Sequence, residues 1–180
     1  VKRGDTIRVE VHPNRATQSL LVLVVGAYFL SMALTPEEWR WLDGVDLLIH
    51  EAGHVLFRPF GEFMMIAGGS LLQVMMPALF VGYFLRQGQP YSAALVLFWV
   101  GQSMLNVSVY AADAMAMQLP LLGGGHVIHD WNYLLVQTGL LPWTPWVAGA
   151  LRGLGTLTIL TGIALGLGVS HPALTWRTRT

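Results

Sequence analysis

Two histidines and a glutamate in the pattern His-Glu-x-x-His carry the strongest chemical signal in this chain: His50, Glu51 and His54, set in the apolar run Leu47 to Phe57. Residues four apart share a face of a helix, so both imidazoles can turn a nitrogen toward one metal ion. Glu51 sits one step round from His50. A carboxylate there can take a proton from metal-bound water without itself ligating the metal, which is the arrangement of zinc-dependent hydrolysis. Titratable groups inside apolar segments are costly and are kept where they have partners or work to do.

A zinc site built on a two-histidine helix needs at least one further ligand. The chain has no cysteine, so that ligand must be His, Asp or Glu, and a disulfide framework is excluded. Asp113 lies near the end of a long apolar segment, where an unpaired carboxylate is expensive, and is a candidate ligand or the partner that orients one. His126, His129 and Asp130 bunch together in the stretch Gly-Gly-Gly-His-Val-Ile-His-Asp-Trp, residues 123 to 131. The reading favours His129 or Asp130 as a direct ligand with Asp113 beside it, and leaves their roles open. Asp130 also suits the cap of a short helix. Glu37, Glu38 and Asp43 are expected in an interfacial segment with water at hand, needing no metal.

These residues need a scaffold, and composition says what kind. Of 180 residues, 54% are hydrophobic and 11% charged, against roughly 25% charged in a soluble domain. Apolar runs of about 20 residues cross a bilayer, and several are present. The expectation is an all-α integral membrane protein of four to five transmembrane helices, with a short His-Glu-x-x-His helix and a Gly-rich loop carrying His-Asp-Trp. One membrane domain covers residues 1–180: a polar tail over 1–16, a helical bundle over 17–169 and a second tail over 170–180, with no soluble domain attached. The polar opening residues do not read as a cleavable signal peptide. Net charge is zero, and no basic cluster with interleaved aromatics points to nucleic acid. The expected partners are the lipid bilayer and a membrane-protein or peptide substrate.

Spans are expected over Thr17–Leu34, Phe63–Leu85, Tyr91–Leu119 and Trp146–Val169. Thr35-Pro36 is placed to cap and open a new helix. The segment Gly44–Phe57 is short for a full crossing and suits a re-entrant helix packed within protein. In the third span Gln102, Asn106, Tyr110, Asp113 and Met117 recur at helical spacing, and such a polar stripe must face protein or a water-filled cavity. If Gly44–Phe57 does not cross, Lys2, Arg3, Arg8, Arg15, Arg86, Arg177 and Arg179 fall on one side, which the positive-inside rule makes cytoplasmic. The His-Glu-x-x-His helix, Asp113 and the Gly-rich loop then gather toward the other, non-cytoplasmic face.

In His50-Glu51-Ala52-Gly53-His54, within a membrane helix and followed by a span containing Gly-Gly, the chain resembles the integral-membrane zinc metalloproteases of the site-2 protease (M50) type. Ala-Asp-Ala at 112–114 and Val-Ile-His-Asp-Trp-Asn-Tyr-Leu-Leu at 127–135 are similar to small bacterial membrane proteins regarded as M50-like, over about residues 45–140. The resemblance implies His50 and His54 as zinc ligands, Glu51 as general base and a bacterial inner-membrane location. The chain lacks the Asn-x-x-Pro-x-x-x-Leu-Asp-Gly segment that supplies the third ligand in site-2 proteases, and Asn106 and Asp113 stand seven apart with no proline between. The expected function is a zinc-dependent membrane hydrolase, a peptidase by resemblance, in which His126 or His129 can stabilise an oxyanion. The alternatives are a lipid amidase and a membrane scaffold or partner-binding protein with a closed structural zinc site.

Overall fold

The computed structural model describes residues 14–122 and 128–170. These fold into six α-helices and two short 3-10 turns, with no strand among the described residues. Helix α1 covers Arg15–Met32, α2 Trp41–Phe57, α3 Glu62–Arg86, α4 Pro90–Ala112, α5 Asp130–Gln137 and α6 Thr144–Ser170. Four segments are long and apolar enough to cross a membrane: Arg15–Met32, Glu62–Arg86, Pro90–Ala112 and Leu141–Ser170. The chain is thus an all-α, multi-pass membrane protein with a shorter helix, α2, carrying the His-Glu-x-x-His residues. His126 and the three preceding glycines lie outside the described residues.

Helix α4 is the axis of the assembly. On one side it packs antiparallel to α6, with Gly101 against Gly155 and Gly162 against Ala94. Small residues let helix backbones approach closely, and close van der Waals contact is what associates helices where water supplies no hydrophobic drive. Val22 of α1, Phe98 of α4 and Ile159 of α6 meet in the core, each fully buried. The other side of α4 presents Trp99, Gln102, Ser103 and Asn106 to α2.

Helix α2 is polar inside and apolar outside. Asp43, Asp46 and His50 are buried, while Leu48 and Val55 are 72% and 74% exposed. In water this pattern would be unstable; in a bilayer the outward side chains meet lipid and the inward ones hydrogen-bond to protein. Asp43 therefore differs from the solvated interfacial residue the sequence suggested. The helix begins at Trp41 rather than Gly44, and this first turn swings Asp43 inward, where its carboxylate accepts the Arg40 backbone N–H at 2.6 Å.

Turn chemistry sets where the helices stop. Gly61 follows α2 with φ of 95°, a conformation strained for any L side chain, and lets the chain reverse into α3. The segment after α1 forms turns rather than the helix that Thr35-Pro36 suggested. The Arg40 guanidinium holds those turns by donating to the Thr35 and Glu38 carbonyls at 3.1 and 2.8 Å. Helix α4 ends at Ala112, short of the expected Leu119. The Asp113 carboxylate accepts the backbone N–H groups of Gln118 and Leu119, and that bonding closes a turn where apolarity alone would have continued the span. In α6, Arg152 donates to the carbonyl of Ala33 at 2.6 Å, so its charge caps the end of α1 instead of facing lipid.

Candidate metal centre

Helix α2 lies against α3 so closely that a Cβ on Gly53 would overlap the carbonyl of Gly68. Gly69 leaves the space that the His50 ring fills: a Cβ there would stand 2.5 Å from His50 Nε2. These glycines fix the depth at which the two imidazoles sit. His50 and His54 have ring centroids 4.8 Å apart, one turn from each other on the face turned toward α5. The Nδ1 atom of His50 meets Gln73 Oε1 at 3.1 Å, and Nδ1 of His54 meets the Met65 carbonyl at 2.9 Å. Both partners accept, so both Nδ1 atoms carry the proton and both Nε2 atoms are left to face one point. A hydrogen bond that fixes the ring in this way accompanies metal ligation by histidine.

Asp130 closes the group. Its Oδ2 lies 2.9 Å from His50 Nε2 and 3.2 Å from His54 Nε2. One ligand atom each from His50, His54 and Asp130 fall within 4.8 Å of one another, a set that can hold a metal ion. In the metal-free chain a proton takes that place. The Asp130 hydrogen bond first, then the Met65 carbonyl, hold His54 up at about 9 against the cost of burial. Burial alone would raise Asp130, but His50 and His54 outweigh it and keep the carboxyl below its ordinary range. A divalent ion held there would replace the proton with a larger charge on the same three atoms.

The other acidic and imidazole candidates sit beside this group and do different work. His129 is the N-cap of α5: its Nδ1 accepts the Asn132 backbone N–H at 3.2 Å, and its Nε2 donates to Asp113 Oδ2 at 3.1 Å. Both ring nitrogens are therefore engaged. Capping falls to His129 rather than to Asp130, the first residue of the helix, and the Asp130 carboxylate is left to face α2. Asp113, held low by the Gln118 and Leu119 N–H groups and by His129 although burial opposes them, ties down the turn at 118–119 and lies outside the group of His50, His54 and Asp130. Tyr110, which the sequence placed in the polar stripe without a part in the site, accepts the Asp130 backbone N–H on its hydroxyl at 3.1 Å and packs its ring on His129 at 4.6 Å. Its place in the polar stripe of α4 was the available signal. Gln73 gave none, being one amide within an apolar span.

A cavity of about 600 Å³ opens onto the group, lined by His50, Glu51, His54 and Asp130, by apolar side chains including Leu47, Ile66 and Val109, and by Glu37 and Trp39 of the α1–α2 turns. That volume is in the range of small-molecule and peptide pockets, roughly 300–1,000 Å³. Glu51 is exposed to it. The cavity lies where α3 begins and α4 ends, as the contacts of Met65 and Tyr110 place it.

No protein-family model, curated protein or solved structure matches the chain.

Proposed function

We propose that this chain is a metal-dependent hydrolase of the membrane, with zinc as the ion and a peptide as the substrate. The observation that carries the proposal is the convergence of three protein ligand atoms, from His50, His54 and Asp130, on a cavity that also exposes the carboxylate of Glu51. Three protein ligands leave a coordination position open, as catalysis needs, whereas structural zinc sites close all four. Two imidazoles and one carboxylate suit zinc, and the absence of thiolates disfavours softer alternatives. A bound divalent ion supplies Lewis acidity at this point. Glu51 takes the proton from the attacking water and passes it to the leaving amine. The apolar walls hold the substrate chain, and the polar groups align its scissile bond.

The choice of peptide over other amides follows the likeness to site-2 proteases in residues 50–54. Sidedness follows the distribution of Arg and Lys: with the short helix uncrossed, the cavity faces the non-cytoplasmic side of a bacterial inner membrane. The test uses purified chain in detergent, loaded with zinc and offered a library of quenched-fluorescent apolar peptides. Wild type should cleave a subset, and Glu51→Gln should retain about one zinc per chain yet lose at least about a hundred-fold in rate. Equal rates in the two proteins, or cleavage that survives stripping of the metal, would overturn the proposal.

A further inference from the structure

From His50 a chain of amides runs along the cavity wall to a carboxylate on the same helix. His50 Nδ1 meets Gln73 Oε1 at 3.1 Å, Gln73 Nε2 donates to Asn106 Oδ1 at 2.8 Å, and Asn106 Nδ2 donates to Asp43 Oδ1 at 3.0 Å. The same Asp43 oxygen also accepts from Gln102 Nε2 at 2.7 Å, and the second oxygen accepts the Arg40 backbone N–H. Three helices, α2, α3 and α4, each contribute to this line.

The carboxylate gives the line its direction. An amide can turn over and exchange its donor and acceptor ends, so a row of amides alone runs either way. An ionised carboxylate only accepts. Asp43 therefore obliges Asn106 to present its NH₂, which leaves Asn106 Oδ1 for Gln73, which turns Gln73 Oε1 toward His50, which requires the proton on His50 Nδ1. Nε2 is thereby the nitrogen left to meet an ion on the side of Asp130. A second observation fits the same imposed direction: Gln102 Oε1 is buried without a hydrogen-bond partner. Gln102 has been made to donate to Asp43 at the expense of its own acceptor, a cost that a freely chosen amide orientation would avoid.

We propose that Asp43, acting through Asn106 and Gln73, is a positioning residue that fixes the tautomer and ring orientation of His50 for metal binding. The proposal rests on the reading of His50 as a metal ligand. Partners of this kind strengthen metal binding by on the order of ten- to a hundred-fold.

The experiment is a chelator competition for zinc on the full chain in detergent, with thermal melting of the metal-free protein recorded alongside. Gln73→Leu should weaken zinc about ten-fold or more, and Asp43→Asn by a smaller factor. Gln73→Glu alone sets two buried carboxylates on either side of Asn106 and should also weaken it. Combining Gln73→Glu with Asp43→Asn reverses the line: Asn106 turns over, donates to residue 73 and accepts from residue 43, and His50 Nδ1 still faces an acceptor. This double variant should recover zinc affinity to within about three-fold of wild type, a restoration that lost packing alone does not predict. Zinc held as tightly by Gln73→Leu and Asp43→Asn as by wild type overturns the proposal, as does a double variant no better than its worse parent. Nitrogen NMR of the zinc-loaded wild type provides a test independent of any variant: it should show His50 protonated at Nδ1, and ligation through Nδ1 refutes the relay. Failure of the metal reading has a different signature, namely undiminished zinc in a His50→Ala, His54→Ala variant.

Discussion

On its α6 side, α4 meets its neighbour through glycines and aliphatic side chains; on its α2 side it meets Asp43 and Asp46 through an indole, a hydroxyl and two amides. The first contact depends on shape. Any small residue that lets the backbones touch will serve, and nothing in it distinguishes one ionisation state or tautomer from another. The second depends on direction. Each donor from α4 is aimed at a carboxylate of α2, so the contact specifies where a proton sits as well as where a helix lies. One helix thus separates a half joined by apolar close packing from a half joined by directed hydrogen bonds.

The largest effect should come from the apolar half. A Cβ on Gly155 would lie 2.7 Å from the Gly101 carbonyl and 3.1 Å from Met104 Cβ, and backbone cannot move aside as a flexible side chain can. Gly155→Val should prevent stable folding, seen as loss of the monodisperse species in detergent; a well-folded variant with a wild-type melting temperature would show that α4 and α6 are not held by close approach. Next comes the ligand group. Asp130→Ala should abolish zinc binding within the range of a chelator titration, whereas His129→Ala, which removes a cap and the tie to Asp113, should weaken it by about ten-fold. Equal losses would place His129 in contact with the ion and redraw the boundary between ligand and support.

A smaller effect is set by pH. His54 is raised from 6.5 to about 9 in the metal-free fold by its bond to Asp130. A raised histidine contributes stability that is complete below the unfolded value of 6.5 and is lost as pH rises through about 9, because the unfolded chain no longer holds the proton while the folded one must give it up. Melting temperature of the metal-free protein should therefore fall across that window, and the fall should vanish in His54→Gln. Zinc binding should run the other way and tighten with rising pH, since it displaces that proton.

The smallest effect concerns Asp46, fully buried and moved up from 3.8 to about 6, chiefly by burial, against the hydrogen bonds of Trp99, Gln102 and Ser103. A raised carboxyl favours the neutral form, so stability is lost as pH rises from the unfolded value of 3.8 to about 6, and the cost is constant above that. Asp46→Asn should remove that cost, and its melting temperature relative to wild type should improve between about pH 4 and about pH 6.5 by roughly a few degrees. An unchanged difference across this interval would mean that the polar half tolerates a second charge beside Asp43.

The apolar half was legible in the sequence because its rule is composition over about 20 residues; the four spans and the short helix after the first of them could be read directly. The end of α4 could not. Ala-Met-Ala-Met after Asp113 continues the apolar character, and only the bonds from Asp113 to residues 118 and 119 stop the helix. In the polar half, His50, Glu51 and His54 are legible because their relation is local, fixed by the period of one helix. The third group stayed open among Asp113, His129 and Asp130, since which carboxylate faces α2 depends on a cap and a turn formed by the other two. Asp43 was misjudged for a related reason: its neighbours in sequence are interfacial, but its neighbours in space are Gln102 and Asn106.

The separation of His50 from Asp130, 80 residues along the chain, has a consequence for how the protein is made. At roughly 5–20 residues per second of synthesis, the two imidazoles of α2 exist for on the order of ten seconds before the carboxylate that completes their set has been built. In that interval α3 and α4 are still arriving, and the nascent chain holds at most a two-nitrogen grip on any ion it meets. On the proposed metal reading, tight capture begins only after α5 has docked, and ion uptake would report that the last polar element has found its place. A chain arrested before residue 130 should emerge from the ribosome with its histidines in position and no metal retained.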